Sequence, residues 1–300
     1  MTLINDPASL PSPMWAVARF LLSAGGQQPA GRALALLCPP SLLPEASRAK
    51  DETFSNAVRT LRELGLVTAD DDHLSLAPPG RKLAADDADG FGALLRAAVL
   101  DPGRNTGLSE SDDQTGPKDL VRALAWFLTR DPFTSLNWDD VTQLQEGALP
   151  SQVGNPIVNG FRWNRFAYWA PALGLASEPA LGDDRPRQPL VADCTVAVRQ
   201  TVLTAWEKDQ RIDAASAVER IIAELPVLPG GRYSRSLGLR EPADRVSPSL
   251  SFALLCGHDQ GWIQLEHRSD AARDILLADP DTATGTRRVS DITVSGSLSD

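Results

Sequence analysis

Arginine and aromatic side chains alternate through residues 159–177, NGFRWNRFAYWAPALGLAS, at Phe161, Arg162, Trp163, Arg165, Tyr168 and Trp169. Guanidinium groups bind phosphates or read guanine edges, and aromatic rings stack on unpaired bases, so these residue types describe a nucleic-acid contact. The spacing supports a second reading. Trp163, Phe166, Trp169 and Leu173 recur at intervals of three or four, the period of a buried helix face, which leaves Arg162 and Arg165 as surface charge. A second basic stretch, residues 229–245, sets Arg232, Tyr233, Arg235, Arg240 and Arg245 against only Glu241 and Asp244. It either contacts phosphate or pairs with the chain's own acids. A third candidate lies earlier: Ser55, Asn56, Arg59 and Arg62 are of the type that meets base edges when placed early on a third helix.

Catalytic chemistry has fewer starting points. The chain holds three histidines, His73, His258 and His267. Cys256 and His258, with His267 nine residues on from His258, match no common zinc spacing, although a carboxylate could complete such a set. The structural reading is a buried cysteine with surface imidazoles. No Gly-x-Ser-x-Gly elbow occurs, and Gly25-Gly26 and Gly230-Gly231 continue into neither a P-loop nor a dinucleotide fingerprint. The aspartate runs at 70–72, 86–89 and 112–113 read as loop tips and solvated faces, and no Asp…Glu-x-Lys nuclease order is present. These observations predict a protein that is not an enzyme, with no cofactor and no metal.

The elements that must hold these residues are clearest at 53–79, TFSNAVRTLRELGLVTADDDHLSLAPP. Phe54, Val58, Leu61 and Leu64 share one helical face, and Asp51 can cap the helix. Gly65 stands where a left-handed residue ends it. Leu66-Val67 and 73–76 then form a hairpin around Asp70-Asp71-Asp72. Preceded by helices over 14–24 and from Pro29 to Leu37, this order is a winged helix: three helices and a two-stranded wing. An acidic wing tip repels phosphate, so this copy either docks DNA without its wing or binds protein. The Leu-Gly-Leu stop returns at Leu173-Gly174-Leu175, again after an amphipathic helix and before a polar turn and a β-like run at 189–191, which predicts a second copy. Between the two copies, the stripe Leu120, Val121, Leu124, Phe127 and Leu128 marks a helix from Lys118, and a further helix is expected over 138–144. In the last third, helices over 195–206 and 214–225, a helix or strand at 249–256, and strands at 262–267 and 288–294 suggest a third copy.

The predicted fold class is therefore mainly α with short β-hairpins, in two or three tandem winged-helix units. The expected organisation is an N-terminal winged-helix domain over 1–100 opened by a polar arm (1–13), and a linker over 101–117. A second winged-helix-like domain follows over 118–194, then a third helical one over 195–294 and a disordered tail over 295–300. At 42% hydrophobic residues the 300-residue chain can build real cores, and no apolar run approaches the ~18–20 residues of a membrane span. No basic stretch and cleavage pattern flank 14–24, and three scattered cysteines argue against a disulfide framework, so a cytoplasmic protein is expected. A net charge of −10 excludes a chain coated for sequence-independent DNA binding and leaves local basic faces or protein partners.

Over 14–79, and again over 118–191, the chain resembles the bacterial winged-helix superfamily. The opening LINDPASLPSPMWAVARFLLSAGG, the early winged helix and the segment Trp163-Asn164-Arg165-Phe166 are similar to DpdG-type accessory proteins of 7-deazaguanine DNA-modification and defence clusters. That resemblance implies a cytoplasmic component of an anti-phage system working beside helicases and nucleases, and carries over no catalytic residue. The expectation is a non-enzymatic DNA-binding or adaptor subunit, contacting DNA through Ser55, Asn56, Arg59, Arg62, Arg162, Arg165, Arg232 and Arg235. A protein–protein scaffold that never touches DNA, or a winged-helix transcriptional regulator, are the alternatives.

Overall fold

A computed structural model describes residues 2–5, 9–39, 49–70, 72–180 and 189–297. Eleven α-helices and eight short strands are present among them, in small antiparallel sheets of two or three strands. The chain divides into two compact units, 1–106 with 114–120, and 107–113 with 121–300. Residues 121–194 of the expected second domain share the latter unit with the expected third domain.

In the first unit, α1 (Pro11–Ser23) begins on a proline whose fixed φ suits the first helical turn. It buries Met14, Val17, Ala18 and Leu21 and is ended by Gly25 and Gly26, both at positive φ. Then come β1 (Gln27–Pro29), α2 (Ala30–Leu37), α3 (Ala49–Glu63), β2 (Val67–Asp70) and β3 (His73–Leu76). The sheet order is β1-β3-β2, so the first strand lies against the last. β1 was not expected; its three residues, Gln-Gln-Pro, carry no alternation, and it exists because β3 offers Leu74 and Ser75 as partners. On α3 the buried positions are Phe54, Ala57, Leu61 and Leu64, with Val58 half-buried. The helix starts at Ala49, so Asp51 lies inside it and is not its cap; Asp71 lies outside the described residues. After a single 3-10 turn (Gly80–Lys82), α4 (Ala88–Val99) follows, capped by Asp87, which accepts the Gly90 N–H at 2.7 Å, and Phe91 on it meets Trp15 of α1 at 5.1 Å between ring centroids.

The expected polar arm is corrected at its start. Leu3 and Ile4 are fully buried, and the N–H groups of Leu3, Ile4 and Asn5 all donate to the carboxylate of Asp119, at 2.8–3.1 Å. Asp119 is itself fully buried; burial pushes its carboxyl up, against the opposing pull of these donors and of Leu120 N–H. One carboxylate thus pins a segment more than a hundred residues away in sequence.

The second unit holds most of α5 (Lys118–Phe127), then α6 (Trp138–Gln145), whose capping box is formed by Asn137 and Asp140, and α7 (Gly160–Ala172), capped by Asn159. Isolated bridges Leu136↔Leu190 and Ser177↔Val191 follow the order of the first sheet without growing into strands. Within the expected linker 101–117, Pro102–Arg104 form a 3-10 turn and 107–113 are fastened: the buried Arg122 guanidinium donates to the carbonyls of Leu108, Ser111 and Asp113. Next come α8 (Thr195–Ala205), β4 (Arg211–Asp213), α9 (Ala214–Glu224), α10 (Arg232–Ser236), α11 (Pro248–Asp259) and β5 (Ile263–Glu266). An unexpected hairpin of β6 (Ile275–Ala278) and β7 (Thr286–Val289) precedes β8 (Asp291–Val294). The sheet order β4-β8-β5 again puts the first strand beside the last. Ser295 and Gly296 donate to the Trp262 carbonyl at 2.9 and 3.1 Å, which ties down the start of the expected tail; 298–300 lie outside the described residues.

α3, α7 and α11 end alike. The glycine N–H (Gly65, Gly174, Gly261) bonds the carbonyl three residues back, and the next N–H reaches five back, from Leu66 to Leu61, Leu175 to Ala170 and Trp262 to Gly257. All three glycines have positive φ, which a side chain would strain.

Candidate functional site

Helix α7 carries two aromatic faces. Trp163, Phe166 and Trp169 are fully buried, and Phe166 meets Phe127 of α5 edge-on at 5.2 Å, with Trp163 against both rings. The buried reading therefore holds for these three, and for Leu173. The opposite face exposes Phe161 (51%), Asn164 and Tyr168 (47%). The Arg165 guanidinium lies over the Phe161 ring at 4.7 Å, within cation–π range. Arg162 is half-buried and donates from Nη1 to the Pro156 carbonyl at 3.0 Å, fastening the approach to the helix. No acidic residue occurs in Gly160–Ala172. The face thus offers two flat rings and a stacked cation.

The equivalent face of α3 has other chemistry. Ser55, Arg59 and Arg62 are exposed and Asn56 half-buried, with Arg59 donating to Asn56 Oδ1 at 2.8 Å. Glu52 and Glu63 stand on the same helix, and Asp70, Asp72 and His73 are exposed on the hairpin that follows. α11 is instead packed against its neighbours, with Ser251 buried and Pro248, Phe252 and Leu255 partly covered. Cys194 at the start of α8 meets the Ser249 carbonyl, and Ser251 Oγ accepts the Ala278 N–H of β6 at 3.0 Å.

The basic stretch 229–245 is organised around its own residues. Arg235 pairs with Glu241 at 3.3 Å and Arg245 with Asp244 at 3.1 Å. Arg232 lies over the Tyr233 ring and donates to its hydroxyl at 3.0 Å. Of the two readings of this loop, internal pairing is the one this geometry displays.

The cysteines and histidines do not converge. His258 Nδ1 accepts the Leu265 N–H at 3.4 Å, and His267 lies 3.5 Å from Asp274. Among the described residues no group of three His, Cys, Asp or Glu is placed to hold a metal ion. Burial pushes the thiols of Cys194 and Cys256 up, away from the thiolate form a nucleophile needs. A lowered carboxylate is structural: Ser290, Arg211 and Arg268 hold Asp291 down to about 2.

Sequence reasoning named both arginines of α7 as contacts and missed Asn164. It listed Phe161 and Tyr168 without separating them from the core rings. The signal was there: 161, 164/165 and 168 fall one turn apart, off the stripe through 163, 166 and 170.

No helix among the described residues is long and apolar enough to cross a membrane. No curated protein and no solved structure matches the chain. A family model described as DpdG-like matches residues 1–271, most of the chain, which therefore belongs to that family.

Proposed function

We propose that this member of the DpdG-like family is a non-enzymatic DNA-binding or adaptor subunit of a bacterial DNA-modification or anti-phage defence system, built from winged-helix units. The order helix–strand–helix–helix–strand–strand, with the first strand beside the last, supports the winged-helix reading in the first copy. The second copy retains it as single bridges, and the third has a hairpin inserted into its wing. Family membership supports the setting: a cytoplasmic system in which the chain works beside other proteins such as a helicase or nuclease.

The observation that carries the DNA reading is the outer face of α7, where Phe161, Arg165 and Tyr168 stand together on an acid-free helix of an acidic chain. Fluorescence anisotropy with labelled single-stranded and duplex DNA, at low and moderate salt, tests it. Binding that weakens with salt and with Arg165→Ala is expected. No binding to either form, alone or with the partner proteins, would sink the DNA half of the proposal.

A scaffold reading has its own support in the net charge of −10 and the exposed Asp70 and Asp72 beside α3. It predicts co-purification with a neighbour-encoded protein that is unaffected by Arg162→Ala and Arg165→Ala.

A further inference from the structure

We infer that the outer face of α7 is a stacking platform for unpaired bases, so that the ligand class of this site is single-stranded DNA in preference to duplex. The inference rests on the reading of α7 as the nucleic-acid contact and adds which form it takes. A third helix that reads duplex DNA turns hydrogen-bonding side chains to base edges while several cations neutralise the flanking phosphates. α7 exposes instead two large rings, Phe161 and Tyr168, with Asn164 between them. Base faces are hidden inside a duplex, whereas an unpaired strand offers them to any ring.

The electrostatics point the same way. α7 has two arginines and no acid, and Arg162 is partly engaged with the Pro156 carbonyl. That is attraction enough to favour a polyanion locally, yet far short of the roughly 6–10 phosphate contacts that give strong salt-dependent duplex binding. Stacking must therefore supply much of the affinity. The Arg165 guanidinium carbon already stands over the Phe161 ring at 4.7 Å, so less ordering remains when a base approaches the pair. Spacing fits as well. Seven residues of helix place Phe161 and Tyr168 about 10 Å apart along the axis, close to three steps of a stacked strand at about 3.4 Å each. Neither α3, with no exposed ring among its site residues, nor α11, covered by α8 and β6, offers this combination.

The test uses the full chain and a single-stranded oligonucleotide containing 2-aminopurine, with its duplex as comparison. The expected result is tighter binding to the single strand by at least about tenfold, with a change in 2-aminopurine emission on binding. Phe161→Leu and Tyr168→Leu should each weaken single-strand binding by about 5- to 150-fold and leave the dependence on salt unchanged. Both side chains are about half exposed, so circular dichroism and the melting temperature should match the parent protein. Equal or tighter duplex binding, or single-strand binding indifferent to both variants, overturns the inference while the DNA reading stands. Loss of binding to every form of DNA removes that reading itself. Loss of a protein partner in the two leucine variants, with DNA affinity intact, overturns the inference in favour of a protein-docking face.

Discussion

α3 and α7 both end in the same glycine-stopped turn before a polar segment. One buries Phe54, Ala57, Leu61 and Leu64 and turns Ser55, Arg59 and Arg62 outward, with glutamates interspersed. The other buries Trp163, Phe166 and Trp169 and still turns Phe161 and Tyr168 outward. A surface helix normally needs only one apolar face, so the second aromatic face of α7 is not explained by its packing. The difference teaches that two helices with the same ending and the same one-sided burial can expose different chemistry.

The largest expected effect separates the two faces of α7. Phe166→Ala should destabilise the protein by about 3–5 kcal/mol, because it opens a cavity against Phe127 and Trp163. Phe161→Ala, which gives up a stack with Arg165 on the surface, should cost under about 1 kcal/mol. Urea unfolding measures both, and similar losses would break the division into inner and outer faces.

Next in size is the helix stop. At Gly65 and Gly174 a side chain at positive φ costs about 1–2 kcal/mol. In Gly174→Ala the added carbon would stand 2.9 Å from the backbone nitrogen of Ala197, so α8 must also shift, adding about 1–3 kcal/mol. In Gly65→Ala it meets only the movable end of Arg104. Denaturation midpoints should therefore fall further for Gly174→Ala, and the reverse order would deny that α8 leans on this turn.

Binding sharpens the comparison at a smaller scale. Arg165→Ala should weaken association with DNA by about tenfold, whereas Arg59→Ala with Arg62→Ala should change it by less than about threefold, since Glu52, Glu63 and the aspartates beside them offset those charges. Anisotropy titrations that rank the two helices the other way would move the contact to the first unit.

The smallest effect lies in the last third of the chain, where ion pairs fasten the sheet β4-β8-β5. The folded Asp291 carboxyl sits near 2, below its ordinary value, so its stabilisation is complete above about pH 4 and is lost as the pH falls toward 2. Arg211 and Arg268 are nearly half exposed, which screens the effect to a few degrees of melting temperature. Asp291→Asn should flatten the melting temperature between pH 4 and 2; an unchanged slope would assign the acid sensitivity to other groups.

Much of the fold was legible because it is local. Apolar period and a glycine after Leu64 or Leu173 act within a turn or two, and they located α3 and α7 closely. The third stop escaped notice because Gln260-Gly261-Trp262 does not repeat the leucines, although its hydrogen bonds are the same. Leu3 and Ile4 sat in a stretch that reads as polar, and their burial depends on Asp119. β1 and the β6–β7 hairpin are three and four residues per strand, too short for alternation to speak, and owe their conformation to partners.

The sequence by itself established that α7 is a helix and set Trp163, Phe166, Trp169 and Leu173 at the period of a buried face, since a period of 3.6 sorts side chains without reference to anything else. It left open whether those rings form core or meet a ligand, and it did not separate Phe161 and Tyr168 from them, because an aromatic ring suits either use. The tertiary structure decided it: Phe127 of α5 covers Trp163 and Phe166, while Phe161 and Tyr168 stay about half exposed.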